Sequence, residues 1–129
     1  MSSKERILQQ WRNKADNDLL AAKILLSTGE PLYDNVCGLC QQAAEKYIKA
    51  LLFSLNIDFK KSHDLNYLLD LLASVEKTDE SLLDIAEFLT PFAVDIRYPG
   101  EIEVASDDAR EAYQGAQHVR EFVLRELGS

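Results

Sequence analysis

Apolar residues in this chain return every three or four positions and almost nowhere alternate, which restricts it to packed helices. In the first segment Ile7, Leu8, Trp11, Ala15, Leu19, Ala22, Ile24, Leu25 and Leu26 follow this spacing. One buried stripe of a helix requires such a pattern, so the spacing predicts a helix from about Ser3 to Thr28. Gly29 can take positive φ beyond the last turn, and Pro31 blocks continuation. A second helix is expected from an N-cap at Asp34 to Leu55, with Val36, Leu39, Cys40, Ala43, Tyr47, Ala50, Leu51 and Leu55 on the helical period. Ser62 is placed to cap a third helix containing Leu65, Leu68, Leu69 and Leu72. Thr78 or Asp79 is placed to start a fourth, which Pro91 interrupts or ends. Ser106 is placed to cap the last, with Asp107 and Asp108 in a first turn where negative charge suits the helix dipole. Strand signals are nearly absent and no internal period suggests stacked repeats. The expected architecture is all-α, an up-and-down four- to five-helix bundle forming one domain over residues 1–129.

Length and charge narrow the function. A chain of 129 residues buries enough surface to fold without disulfide or metal staples. Its formal net charge of -8 disfavours broad, non-specific attachment to nucleic acid or anionic membrane, while leaving room for a local basic patch. No stretch reaches the roughly 18 to 20 apolar residues of a membrane span, and the first residues do not resemble a secretion signal. The expected location is the cytoplasm, with no membrane partner.

Four groups of residues are candidates for chemistry. Cys37 and Cys40 have the spacing of a redox dithiol or of half a zinc site, but no second ligand pair exists, so compact buried packing is the better reading and no metal is expected. His63, beside Lys60 and Lys61 at a helix start, suits either a phosphate contact or a hydrogen bond that fixes the entry of the third helix. Arg97 precedes Tyr98-Pro99-Gly100, a stiff turn that either presents a guanidinium to an anion or pairs it with neighbouring acids such as Asp95, Glu101 or Glu103. Gln42, Glu45, Lys46 and Lys49 form a polar row along the second helix, ordinarily a solvated face, that would matter if it met His63 and Arg97 in one cleft. His118, in the last helix, reads as part of a solvated stripe.

These segments resemble the HEPN domain family. The resemblance is carried by Trp11 with Ala15, Asp18-Leu19 and Ala22, by the run from Cys40 to Leu52, by His63-Asp64-Leu65 with Leu68-Leu69, and by Arg97-Tyr98-Pro99-Gly100 and the Ala109, Ala112, Ala116 series. It implies a helical bundle, a homodimer, and association with nucleotides or RNA, often beside a separate minimal nucleotidyltransferase. Many relatives are metal-independent ribonucleases with an Arg followed by His after four to six residues. After Arg97 the corresponding positions are Ile102, Glu103 and Val104. Arg110 and His118 come nearest elsewhere, but eight positions on a helix set them about 80° and about 12 Å apart. The resulting expectation is a non-catalytic module without a cofactor. It would bind a nucleotide, RNA or the nucleotidyltransferase through Lys46, Lys49, His63 and Arg97, supported by Gln42, Glu45 and Tyr98. The alternatives are a toxin-like RNA endonuclease using Arg97 with a relocated His63 or His118, and an interaction-only antitoxin or scaffold.

Overall fold

Helix α1 spans Ser3–Ser27, α2 Tyr33–Ser54, α3 Leu65–Ala73, α4 Glu80–Leu89 and α5 Ser106–Glu126, with a 3-10 turn at Thr90–Ala93 after α4. The computed structural model describes residues 1–75, 78–93, 100 and 103–128. The all-α expectation holds: among the described residues every element is helical, and none of the helices is long and apolar enough to cross a membrane.

The central member is α2, which packs along α1 on one side and α5 on another, with α3, α4 and the 3-10 turn closing the remainder. Its sequence explains this position. Cys37, Cys40, Ala43, Ala44 and Ala50 are small and fully buried, so neighbouring backbones approach closely on several sides at once. The facing surfaces are equally small: Ala15 and Ala22 on α1, and Ala109, Ala112 and Ala116 on α5 are all inaccessible. Bulk comes from Tyr47, Ile48, Leu51 and Leu52 of α2 and from Leu65, Leu68, Leu69 and Leu72 of α3. The last four pack α3 by its apolar face.

Helix ends differ from the sequence expectation in instructive ways. Ser2 caps α1, its hydroxyl accepting from the Glu5 amide at 3.1 Å, and Gly29 takes φ 75 beyond the other end. Helix α2 starts earlier than expected: Leu32 is its N-cap, without a side-chain bond, and Asp34 lies inside the first turn. For α3 the cap is Asp64 rather than Ser62. The Asp64 carboxylate accepts from the Asn66 amide at 2.9 Å, while the Ser62 hydroxyl accepts from the Asp64 amide at 3.1 Å, one step upstream. Asp79 caps α4 through the Leu82 amide at 2.9 Å. At α5 the N-cap is Ala105, and the bond runs backwards, from the Ala105 amide to the Asp108 carboxylate at 2.9 Å.

The α2 C-terminus positions the loop that matters below. Asn56 adopts φ 59, and the Ile57 amide returns to the Leu52 carbonyl at 2.9 Å, a six-to-one closure in which Asn tolerates the left-handed conformation. Lys4 of α1 clamps this corner, donating to the Ser54 carbonyl at 3.1 Å and to Asn56 Oδ1 at 2.9 Å. A cation there also faces the negative end of the α2 dipole.

Candidate functional site

Glu45 sits two turns before the end of α2, and its side chain is only 8% exposed. A carboxylate so placed must be compensated by bonds to its charged form. Three side chains do this. Lys49, one turn on, donates to Oε2 at 2.9 Å; Gln41, one turn back, donates to Oε1 at 3.2 Å; His63 Nδ1 lies 2.8 Å from Oε1. Burial pushes the Glu45 carboxyl up, but the hydrogen bonds from Lys49, His63 and Gln41 together outweigh it and leave the group below its ordinary 4.5.

His63 reaches this carboxylate because Gln41 also donates to the His63 carbonyl at 3.0 Å, latching the start of α3 onto α2. Farther back in the loop, the Tyr67 hydroxyl accepts from the Lys60 amide at 3.0 Å. An ionised carboxylate only accepts, so the hydrogen is assigned to His63 Nδ1 and the neutral ring keeps its free lone pair on Nε2. The His63 side chain is 71% exposed, so the imidazole is held from inside and offered outward. Lys60 and Lys61 beside it are exposed and carry no ion pair among the described residues.

The polar row of α2 does not act as one surface. Glu45 and Lys49 meet His63, as a common cleft requires. Lys46, about 100° around the helix from Glu45, instead pairs with Asp18 of α1. Gln42 is exposed near the 3-10 turn, in a cavity of about 230 Å³ with Asn35, Gly38 and Phe92 among its walls. Arg97 and Tyr98 lie outside the described residues. Lys49 is itself buried with Glu45, its Nζ standing 5.7 Å from the Phe59 ring centroid. Both lysines of the expected anion site are therefore paired with carboxylates, and their charge is partly spent inside the protein.

The remaining candidates sit elsewhere. Arg110 bonds Ser106 and Asp107 at 3.1 Å in the first turn of α5. His118 Nε2 lies 3.8 Å from Asp79 and 3.5 Å from the Ser81 hydroxyl, where α5 meets the start of α4. The Ser81 proton goes to Asp79 at 2.8 Å, so the trio is a helix cap touched by a histidine and lacks the order of a nucleophilic triad. Cys37 and Cys40 are inaccessible in the α2 core, and burial followed by the charge of Cys37 pushes the Cys40 thiol up to about 12. Among the described residues no group of three His, Cys, Asp or Glu is arranged to hold a metal ion.

Two features escaped the sequence reading. One is Gln41, buried and bonded to both Glu45 and His63; its i,i+4 relation to Glu45 was the available signal. The other is Asp16 of α1, which accepts from the Tyr47 hydroxyl and from Arg120 Nε at 3.1 Å, tying α1, α2 and α5 together. Its partners lie 31 and 104 residues away, so no local pattern announces them.

Comparison with known proteins agrees with this architecture. The HEPN domain family model matches residues 8–127. Solved structures of the same fold include an archaeal HEPN homologue at 28% identity and TM-score 0.74, covering 90% of this chain and 93% of the other. A Thermus thermophilus protein follows at 27% identity and TM-score 0.75, covering 92% and 97%. An HEPN domain protein from Thermotoga maritima, at 24% identity and TM-score 0.75 over 92% and 98%, shows the shared fold. Among curated proteins no match is found. With a family match running almost end to end, and with the helical order described above, this chain belongs to the HEPN domain family.

Proposed function

We propose that this chain is a non-catalytic HEPN module, acting as a homodimer, that binds the phosphate of a nucleotide or RNA at the surface around His63, alone or beside a partner nucleotidyltransferase. The observation that carries the reading is the Glu45–His63 pair: a buried carboxylate fixes the tautomer and direction of an imidazole whose side chain is 71% exposed. A histidine serving only to hold the loop has no need to stand so far into solvent. In this reading His63 binds phosphate as the imidazolium, keeping Nδ1–H on Glu45 and donating Nε2–H to a phosphate oxygen, while Lys60 and Lys61 supply positive potential and Arg97 contributes forked contacts. Lys49 and Lys46 keep their carboxylate partners and act by holding α2 in place. The test is fluorescence anisotropy with a labelled nucleotide and a short labelled RNA. Loss of affinity in His63→Ala combined with Arg97→Ala supports the reading, and unchanged affinity refutes it; sedimentation at several concentrations tests the homodimer.

The same pair favours one rival. A carboxylate-oriented imidazole is also a general acid-base group, so His63 with Arg97 suits a metal-independent ribonuclease. Incubation with mixed RNA under chelator separates the two, since only the rival predicts cleavage that disappears in His63→Ala.

A further inference from the structure

The charge of this acidic protein is unevenly divided. Residues 1–63 hold nine Lys and Arg against seven Asp and Glu, whereas residues 64–129 hold five against fifteen. The first half, α1 with α2 and the loop after it, is therefore the cationic part of the molecule. On that half lies an open cavity of about 230 Å³ walled by Ile7, Gln10, Trp11 and Lys14 of α1. These four share one face of the helix at i, i+3, i+4 and i+7. The lining is mostly apolar, with an amide and an exposed ammonium at its rim. The volume falls below the roughly 300–1,000 Å³ of drug-sized ligand pockets, which suits a single planar ring system.

Trp11 is not isolated from the His63 surface. Its ring meets Phe59 edge to face at 6.3 Å between centroids, Phe59 carries Lys49 over its face, and Lys49 and His63 share Glu45. A continuous run of side chains thus leads from an aromatic pocket to an outward imidazole, flanked by Lys14, Lys60 and Lys61, each exposed and without an ion pair among the described residues. Aromatic walls interleaved with unspent cations are the chemistry that holds single-stranded nucleic acid, with bases stacked and backbone neutralised. Apolar cover by a second protein would need no such row of cations.

Resting on the phosphate-binding reading above, we infer that the Trp11 cavity is a base-stacking subsite, and that the preferred ligand is single-stranded nucleic acid threaded from this cavity towards His63. A base lies against the Trp11 ring, Gln10 is within reach of its polar edge, and Lys14 neutralises the adjoining phosphate. Duplex is a poor ligand because its bases are already stacked.

Trp11 is the chain's single tryptophan, so its own fluorescence reports the subsite without a label. Single-stranded RNA of about eight nucleotides is titrated into the full chain, with anisotropy and Trp11 emission read together, and the same sequence is added as duplex. Saturable quenching by the single strand, at the midpoint given by anisotropy, supports the subsite. So does weaker binding of duplex without quenching. Trp11→Phe keeps an aromatic ring against Phe59 and should retain binding, whereas Trp11→Leu, which keeps apolar bulk, and Lys14→Glu should each lose about tenfold. Circular dichroism of each variant verifies the fold. Binding by anisotropy with undisturbed Trp11 emission, or with full affinity in Trp11→Leu, overturns the subsite while leaving phosphate binding intact. No binding of RNA or nucleotide in either channel overturns both.

Discussion

Replacing Glu45 by Ala removes the carboxylate bonded to Lys49 and leaves an ammonium whose side chain is 9% exposed. Stranding one member of a buried pair costs about 3–5 kcal/mol, because the remaining charge loses its partner without regaining water. Lys49 retains the Phe59 ring at 5.7 Å, a contact worth about 0.5–2 kcal/mol, so the lower end of the range, about 3 kcal/mol, is expected. Against a domain stability of about 5–15 kcal/mol this is a large fraction, readable as a lower urea midpoint by circular dichroism at constant slope. The double variant Glu45→Leu, Lys49→Leu separates the causes. Exchanging a whole buried pair for apolar residues is neutral or stabilising by about 1–4 kcal/mol, so the double variant should recover most of what the single one lost. Gln41 still holds the His63 carbonyl at 3.0 Å in both, which keeps the α3 entry in place. The pH dependence follows from the same geometry. Since the Glu45 carboxyl is held below 4.5 in the fold, the unfolded chain takes up its proton more readily. The stabilisation is complete above that ordinary value and disappears as pH falls through the folded one. The stability difference between the native chain and Glu45→Gln should therefore shrink on acidification. A Glu45→Ala loss under about 1 kcal/mol, or a double variant no better than the single, refutes the argument.

Three further outcomes follow from other parts of the bundle. Gly29→Ala should cost about 1 kcal/mol in the same urea assay, because φ 75 penalises any Cβ although no neighbouring atom obstructs it. Tyr47→Phe should cost about 1 kcal/mol rather than more: the bond to Asp16 is lost, but Arg120 still satisfies that carboxylate at 3.1 Å. Cys40, inaccessible and with its thiol pushed up to about 12, should resist an aromatic disulfide reagent at pH 8 in the native state and react on unfolding; immediate stoichiometric labelling would contradict the packing described.

The fold was legible because its signal is redundant. Each helix repeats its apolar spacing over several turns, and Gly29 and Asp79 mark ends by local stereochemistry alone. At α3 the capping assignment failed because two acceptors compete within a turn. Ser62 and Asp64 both stand before α3, and which one caps depends on how Gln41 draws the His63 carbonyl onto α2, a contact spanning 22 residues. At α5 Ser106 had the right chemistry, but the chain enters one residue earlier, and Asp108 bonds back to the Ala105 amide.

The site was legible along α2 and illegible across it. Glu45 and Lys49 at i,i+4 are within reach on any helix, and His63 needed only a loop short enough to return it. Lys46 shows where sequence reasoning stops. Its direction differs from that of Glu45 by about 100°, which is local knowledge, but its meeting Asp18 depends on the register between α1 and α2, set by the packing of Ala15, Leu19 and Ala22. That register decides which cations are consumed. Lys46 and Lys49 face carboxylates and lend rigidity, so the positive charge left for a ligand near this face includes that of Lys14, Lys60 and Lys61, all exposed. Counting basic residues therefore overstates what an anion meets, and subtracting the paired ones moves the expected contact from the middle of α2 to the loop and the α1 face beside Trp11.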